Sequence, residues 1–186
     1  MVRPNWFFAF PVEGRFVEAL PPLPAGFRRF HADDVHLTLA FLGRCGEPAA
    51  LRALAALEGL LPILRQPPIP ISLGPVTPMG SARRYTALSA LLERGQLEAT
   101  ACLAHVRDTL TEAALGRRER RSPKPHVTLA RPQRRATAEQ REAGLTWANA
   151  VDLRSVHATL DRVALYTWSE PRRGRLFDIV TERRLG

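Results

Sequence analysis

Cysteine is almost missing from this 186-residue chain: Cys45 and Cys102 are the only two. Two thiols are too few for a disulfide framework or for a zinc site of their own, so a reducing cytoplasm is the simplest expected home. No apolar run approaches the roughly 20 residues that span a bilayer. The opening Met1-Val2-Arg3-Pro4-Asn5-Trp6-Phe7-Phe8 also lacks the long apolar stretch and cleavage site of a signal peptide, so no membrane partner is expected. Several chemistries lack their sequence forms as well. His31, His36, Asp33 and Asp34 superficially offer metal ligands, yet no His-Glu-x-x-His, Cys-x-x-Cys or three-histidine spacing is present. Gly74-Pro75-Val76-Thr77 fits no nucleotide-binding fingerprint, and no Gly-x-Ser-x-Gly nucleophile elbow occurs. Neither a metal nor a cofactor is expected.

Lysine is nearly absent too: Lys124 is the sole lysine among 27 basic residues, and the formal net charge is +9. Arginine binds phosphate bidentately, but a preference spread over the whole chain is also what a GC-rich genome produces. The placement of the charge says more. Residues 117–135 hold eight cations (Arg117, Arg118, Arg120, Arg121, Lys124, Arg131, Arg134, Arg135) against one acid, Glu119. An anionic partner is expected there.

That basic stretch brackets His126-Val127-Thr128-Leu129, a near copy of His36-Leu37-Thr38-Leu39. Both copies lie in alternating apolar segments, where residues i and i+2 share one strand face. His and Thr of each copy therefore project together, while Leu37, Leu39, Val127 and Leu129 turn to the core. One His-x-Thr match carries little weight; two with the same apolar fourth residue carry much more. Two imidazoles can act as general base and general acid, and two threonine hydroxyls can donate to phosphate oxygens. Arg131 falls on the face opposite His126 on a regular strand, but Pro132 is expected to break the strand and release it toward the anion. His31, His105 and His157 read as structural or solvent-facing.

The chain reads as α+β. Strands are expected at 6–10, 35–42, 71–76, 85–92, around the second motif, and at 156–167 and 176–181. Helices are expected at 15–20, from Pro48 through Leu61, at 97–115 ending on Gly116, and at 138–148. Residues 62–70 read as a proline-rich connection. Each half of the order carries one His-x-Thr strand, so pseudo-symmetry would bring the two together at a cleft.

These residues resemble the 2H phosphoesterase superfamily, and within it the bacterial and archaeal RNA 2′,3′-cyclic phosphodiesterases, also called 2′-5′ RNA ligases. The resemblance rests on Phe7-Phe8-Ala9-Phe10-Pro11, His36-Leu37-Thr38-Leu39-Ala40-Phe41-Leu42-Gly43 and Pro125-His126-Val127-Thr128-Leu129-Ala130-Arg131. It covers nearly the whole chain. The segment 30–35 departs from the family's proline-containing lead-in, and Thr77-Pro78-Met79-Gly80 stands where an aromatic is common.

The resemblance implies one domain over residues 1–186 with two pseudo-symmetric lobes: two antiparallel-rich sheets flanking a central cleft, helices outside. It implies hydrolysis of an RNA-terminal 2′,3′-cyclic phosphate to a 2′-phosphate, with weak reversible 2′-5′ ligation and no required metal. By analogy His126 activates water and His36 protonates the departing 3′ oxygen, while Thr38, Thr128 and Arg131 hold the phosphate. Phe41 is placed against the terminal base, although as an apolar strand residue it reads as core. The expected partner is RNA with a cyclic phosphate end, such as tRNA fragments, and the expected state is a monomer. Two other readings stay open: a 2H enzyme for small cyclic nucleotides or 2′-5′ oligoadenylate, and a catalytically weak RNA-binding module.

Overall fold

Trp6–Pro11 is buried along its whole length, as a strand covered on both faces must be, and forms β1. The computed structural model describes residues 3–64, 68–171 and 174–185; Met1, Val2 and residues 65–67 of the proline-rich connection lie outside them. Among the described residues the strands are β1, β2 (Phe27–Arg29), β3 (His36–Gly43), β4 (Ile69–Pro78), β5 (Leu88–Arg94), β6 (His126–Pro132), β7 (His157–Leu160), β8 (Arg162–Trp168) and β9 (Phe177–Arg184). The α-helices are α1 (Glu47–Leu64), α2 (Gln96–Leu115) and α3 (Ala138–Ala150), and none is long and apolar enough to cross a membrane. The segment expected as a helix at 15–20 is a 3-10 turn over Arg15–Ala19.

The strands run β7-β4-β5-β6-β3-β1-β8-β9, with β2 added on β6, and every pairing is antiparallel. Cutting the order between β6 and β3 leaves two four-stranded halves, each with its His-x-Thr strand innermost. The two expected sheets are therefore joined into one, and the join is a single paired position, Leu37 with Val127. Beyond it the C-terminal half of β6 pairs with β2 instead. The motif strands diverge from their shared point, and that divergence opens the cleft.

All three helices cover one face. Phe8, Phe10, Leu37, Leu39, Val127 and Leu129 form the main core with Leu57, Leu103 and Trp147 from α1, α2 and α3. The opposite face carries a smaller cluster, Phe7, Ala9, Phe30, Tyr166, Leu176 and Phe177, which floors one side of the cleft.

Three further local expectations change, and one strand is unannounced. The strand expected over 156–167 is two strands: β7 pairs with β4 in one half and β8 with β1 in the other. Helix α1 runs through Pro62, because burying Leu61 and Leu64 outweighs the backbone hydrogen bond that proline removes from the last turn. The strand expected at 85–92 begins only at Leu88. Tyr85 instead locks onto α3: its hydroxyl donates to the Arg141 carbonyl (2.6 Å) and Arg141 Nη1 donates to the Tyr85 carbonyl (2.7 Å). Finally, β2 is a strand that the sequence does not announce; three residues carry too little periodicity to read.

Candidate active site

The antiparallel register about Leu37 and Val127 sets His36 across from Thr128 and Thr38 across from His126. All four side chains thus lie on the face away from the helices. Each imidazole is held the same way: His36 Nδ1 lies 2.6 Å from the Asp34 carbonyl and His126 Nδ1 lies 2.6 Å from the Lys124 carbonyl. A carbonyl can only accept, so each ring carries its proton on Nδ1 and turns Nε2 outward as a base.

The two environments differ. His36 is buried, packed 4.9 Å from Phe7, 5.5 Å from Tyr166 and edge-on at 5.6 Å to Phe177. Burial, reinforced by the positive charges of Arg131 and His126, pushes its pKa from 6.5 down to about 4. His126 is only partly covered; burial first, then Lys124 and Arg131, lowers its pKa as well. In the unliganded protein both rings are neutral at pH 7. A bound anion reverses the balance by favouring the imidazolium forms.

A pair of β-bulges completes the site. Phe8 pairs with Ala40 but Ala9 with Thr38, so Leu39 is an extra residue in β3. Leu88 pairs with Ala130 but Ser89 with Thr128, so Leu129 is the matching extra residue in β6. An extra residue switches the strand's facing. Ala40 and Ala130 stay in the core, and the next residue of each strand, Phe41 and Arg131, turns to the cleft. Phe41 is therefore not core: it is 53% exposed. Arg131 reaches the cleft because of the bulge and not through a break ahead of Pro132, since β6 stays paired with β2 as far as that proline, its last residue. Its guanidinium lies 5.2 Å over the Phe30 ring.

The cleft has a volume of about 290 Å³, and His36, Thr38, Phe41 and Arg131 line it together with Phe7, Trp168 and Phe177. His126 and Thr128 stand beside it on β6. Trp168 faces the same opening as Phe41, with the Arg44 guanidinium 6.0 Å over its indole. His31 receives the Asp33 N–H at its own turn, and His105 and His157 are exposed; none of the three lines the cleft. Among the described residues no group of three or more His, Cys, Asp or Glu is arranged to hold a metal ion.

Two supporting residues escape a reading of the sequence. Ser89, fully buried, lies with its hydroxyl 3.1 Å from Thr128 Oγ1. If Ser89 donates, the Thr128 proton is left pointing to the cleft; Thr38 has Ala9 at the corresponding place and no such partner there. Ser89→Ala is expected to weaken the binding of inorganic phosphate in the cleft about two- to tenfold, the worth of one neutral hydrogen bond, with Tm nearly unchanged. Phosphate titration beside a thermal melt checks it. Asp34 is the other. Its backbone carbonyl holds His36, while its carboxylate, fully buried, accepts the Leu176 N–H (2.8 and 2.9 Å) and the Phe177 N–H (3.0 Å). Burial raises its pKa against the lowering effect of those two bonds. One residue thereby ties His36 to the segment that walls it.

Residues 15–172 match the 2′-5′ RNA ligase superfamily. Comparison with curated protein sequences finds no match. Among solved structures, E. coli LigT complexed with 3′-AMP is similar with a TM-score of 0.66 at 22% identity, over 97% of each chain. TT0787 of Thermus thermophilus gives 0.64 at 21% identity, again over 97% of each. Usb1 of Kluyveromyces marxianus is more distant, at 0.51 and 11% identity over 95% of this chain and 96% of that one. At these identities the likeness establishes the fold.

Proposed function

The chain belongs to the 2′-5′ RNA ligase superfamily of 2H phosphoesterases, and from that membership we propose that it opens the 2′,3′-cyclic phosphate at the 3′ end of RNA to a 2′-phosphate. The observation that carries this reading is the matched pair of imidazoles, each pinned through Nδ1 with Nε2 free, on two strands that diverge around a cationic cleft.

In the proposed reaction the cyclic phosphate lies between the motifs, its non-bridging oxygens held by Thr38, Thr128 and Arg131. His126 Nε2 takes a proton from water as the water oxygen attacks phosphorus. The bond from phosphorus to the 3′ oxygen breaks, and His36 Nε2–H delivers a proton to that oxygen. The products are a 2′-phosphomonoester and a free 3′ hydroxyl. Fixed donors around the phosphate stabilise the charge that builds on its oxygens. With a 5′ hydroxyl in place of water the same groups form a 2′-5′ linkage, which is the ligation direction. Phe41 and Trp168 flank the opening where the terminal base would stack.

A second reading, a mononucleotide substrate, is favoured by one observation: at about 290 Å³ the cleft itself has room for little more than a nucleotide.

The histidine pair has a pH signature that tests the chemistry. The reactive form has one imidazole protonated and one neutral, so the two pKa values bound a bell. Both are lowered in the free protein, His36 to about 4. The kcat/KM profile for a cyclic phosphate is therefore expected to peak below pH 6.5 and to fall about tenfold per pH unit on its alkaline side. The kcat profile should lie at higher pH, because bound phosphate raises both values. A kcat/KM plateau extending through about pH 8 would contradict the two-histidine mechanism.

A further inference from the structure

Beside the cleft a second, larger groove of about 790 Å³ runs between the end of β3 and the segment that follows α2. Its walls are Phe41 and Gly43 on one side and Arg117, Arg118, Arg120 and Arg121 on the other. It exists because β6 begins only at His126, so among the described residues the C-terminal half of β3 has no strand partner on that side. We propose that this groove binds the phosphodiester backbone of a single-stranded RNA upstream of its cyclic end, making the protein selective for oligonucleotides over mononucleotides. The inference rests on the cyclic phosphodiesterase reading and names the part of the substrate outside the cleft.

Three features support it. The first is continuity: Phe41 lines both the cleft and the groove, so a strand whose last base lies against Phe41 continues into the groove without crossing protein. A cyclic phosphate end has only one chain attached, the upstream one, and the shared Phe41 gives it a way out of the cleft into the groove. The second is charge. All four arginines are exposed. Arg118 Nε bonds Glu112 (3.0 Å), whereas Arg117, Arg120 and Arg121 form no salt bridge among the described residues. Glu119, the one acid of the wall, turns back to accept the Arg121 N–H at 3.1 Å. The third is order. Arg107 Nη2 donates to the Arg121 carbonyl at 2.6 Å, fixing the main chain of the arginine segment to α2. An exposed aromatic followed by a cationic track suits a single strand, whose bases are free to stack, rather than a duplex.

The test compares the wild type with a triple variant, Arg117→Ala, Arg120→Ala and Arg121→Ala, whose main-chain contacts are retained. Turnover is measured on a mononucleoside 2′,3′-cyclic phosphate and on an RNA of about ten nucleotides with the same end, from low to high salt. The ratio of kcat/KM for the oligonucleotide to that for the mononucleotide is expected to fall about tenfold in the triple variant. The slope of log(kcat/KM) against log salt should become shallower by about two for the oligonucleotide, as three single-strand phosphate contacts predict. An unchanged ratio and slope would overturn the proposal. Fluorescence anisotropy of a labelled RNA ending in a 3′ hydroxyl, in the same samples, needs no turnover. If the wild type hydrolyses neither substrate, the cyclic phosphodiesterase reading fails. The groove then stands on a loss of RNA binding in the triple variant and falls if binding is equal.

Discussion

Replacing either cleft histidine by alanine is expected to reduce kcat on an RNA 2′,3′-cyclic phosphate by about 10²–10⁴-fold, the usual worth of one general acid or base. His126→Ala is the cleaner of the two. The ring is partly exposed and its Nδ1 partner, the Lys124 carbonyl, lies at the surface, so water can replace it. His36→Ala also empties a space between Phe7, Tyr166 and Phe177 and strands the buried Asp34 carbonyl. Its Tm should fall as well, and its kinetics need to be read on folded protein. Two groups serving one proton-transfer sequence act as a unit, so the double variant should be scarcely worse than either single one. Each single variant should lose one limb of the bell-shaped pH profile. A His126→Ala protein that retained most of its kcat and both limbs would remove that residue from the chemistry.

The largest effect on stability is expected at Asp34. Its carboxylate is fully buried, and its partners are main-chain N–H groups of Leu176 and Phe177. Alanine leaves two buried donors unsatisfied, at about 1–3 kcal/mol each. Relief from burying the carboxylate, visible in its raised pKa, offsets part of that. A net loss of about 3 kcal/mol is expected for Asp34→Ala. Asp34→Asn should lose less, since its Oδ1 can still accept both N–H groups. Because Phe177 packs against His36 and lines the cleft, Asp34→Ala should also lower kcat in the fraction that stays folded. Urea denaturation read alongside activity checks both. A Cm within error of the wild type would mean that the clamp contributes nothing to the fold.

Much of the site is legible before the fold, and the parts that are not have specific causes. His36, Thr38, His126 and Thr128 are visible because their spacing of two matches the strand period, so the side chains meet in one place wherever the strands meet. The long helices are visible in their apolar repeats. Phe41 and Arg131 are harder, because a regular strand turns them away from the motif residues. Their signal lies in Leu39-Ala40 and Leu129-Ala130, where two adjacent apolar residues interrupt the alternation at the same point of both motifs. Those are the bulge positions. The break of 156–167 into β7 and β8 leaves no such trace, because one short residue, Asp161, separates strands that serve opposite halves. Asp34 is legible only as one of four residues, with His31, Asp33 and His36, that superficially offer metal ligands. Its role depends on Leu176 and Phe177, 142 and 143 positions away, and no local pattern encodes that meeting. Trp168 and Ser89 are set in place the same way, by pairing across the sheet.

Phosphorus NMR of a short RNA ending in a 2′,3′-cyclic phosphate, incubated with the protein in excess EDTA, tests the proposed reaction most directly. The cyclic resonance is expected to give way to that of a 2′-phosphomonoester, and to persist when His126→Ala replaces the wild type. A cyclic phosphate left untouched by the wild type, or a 3′-phosphomonoester in place of the 2′ product, would contradict it.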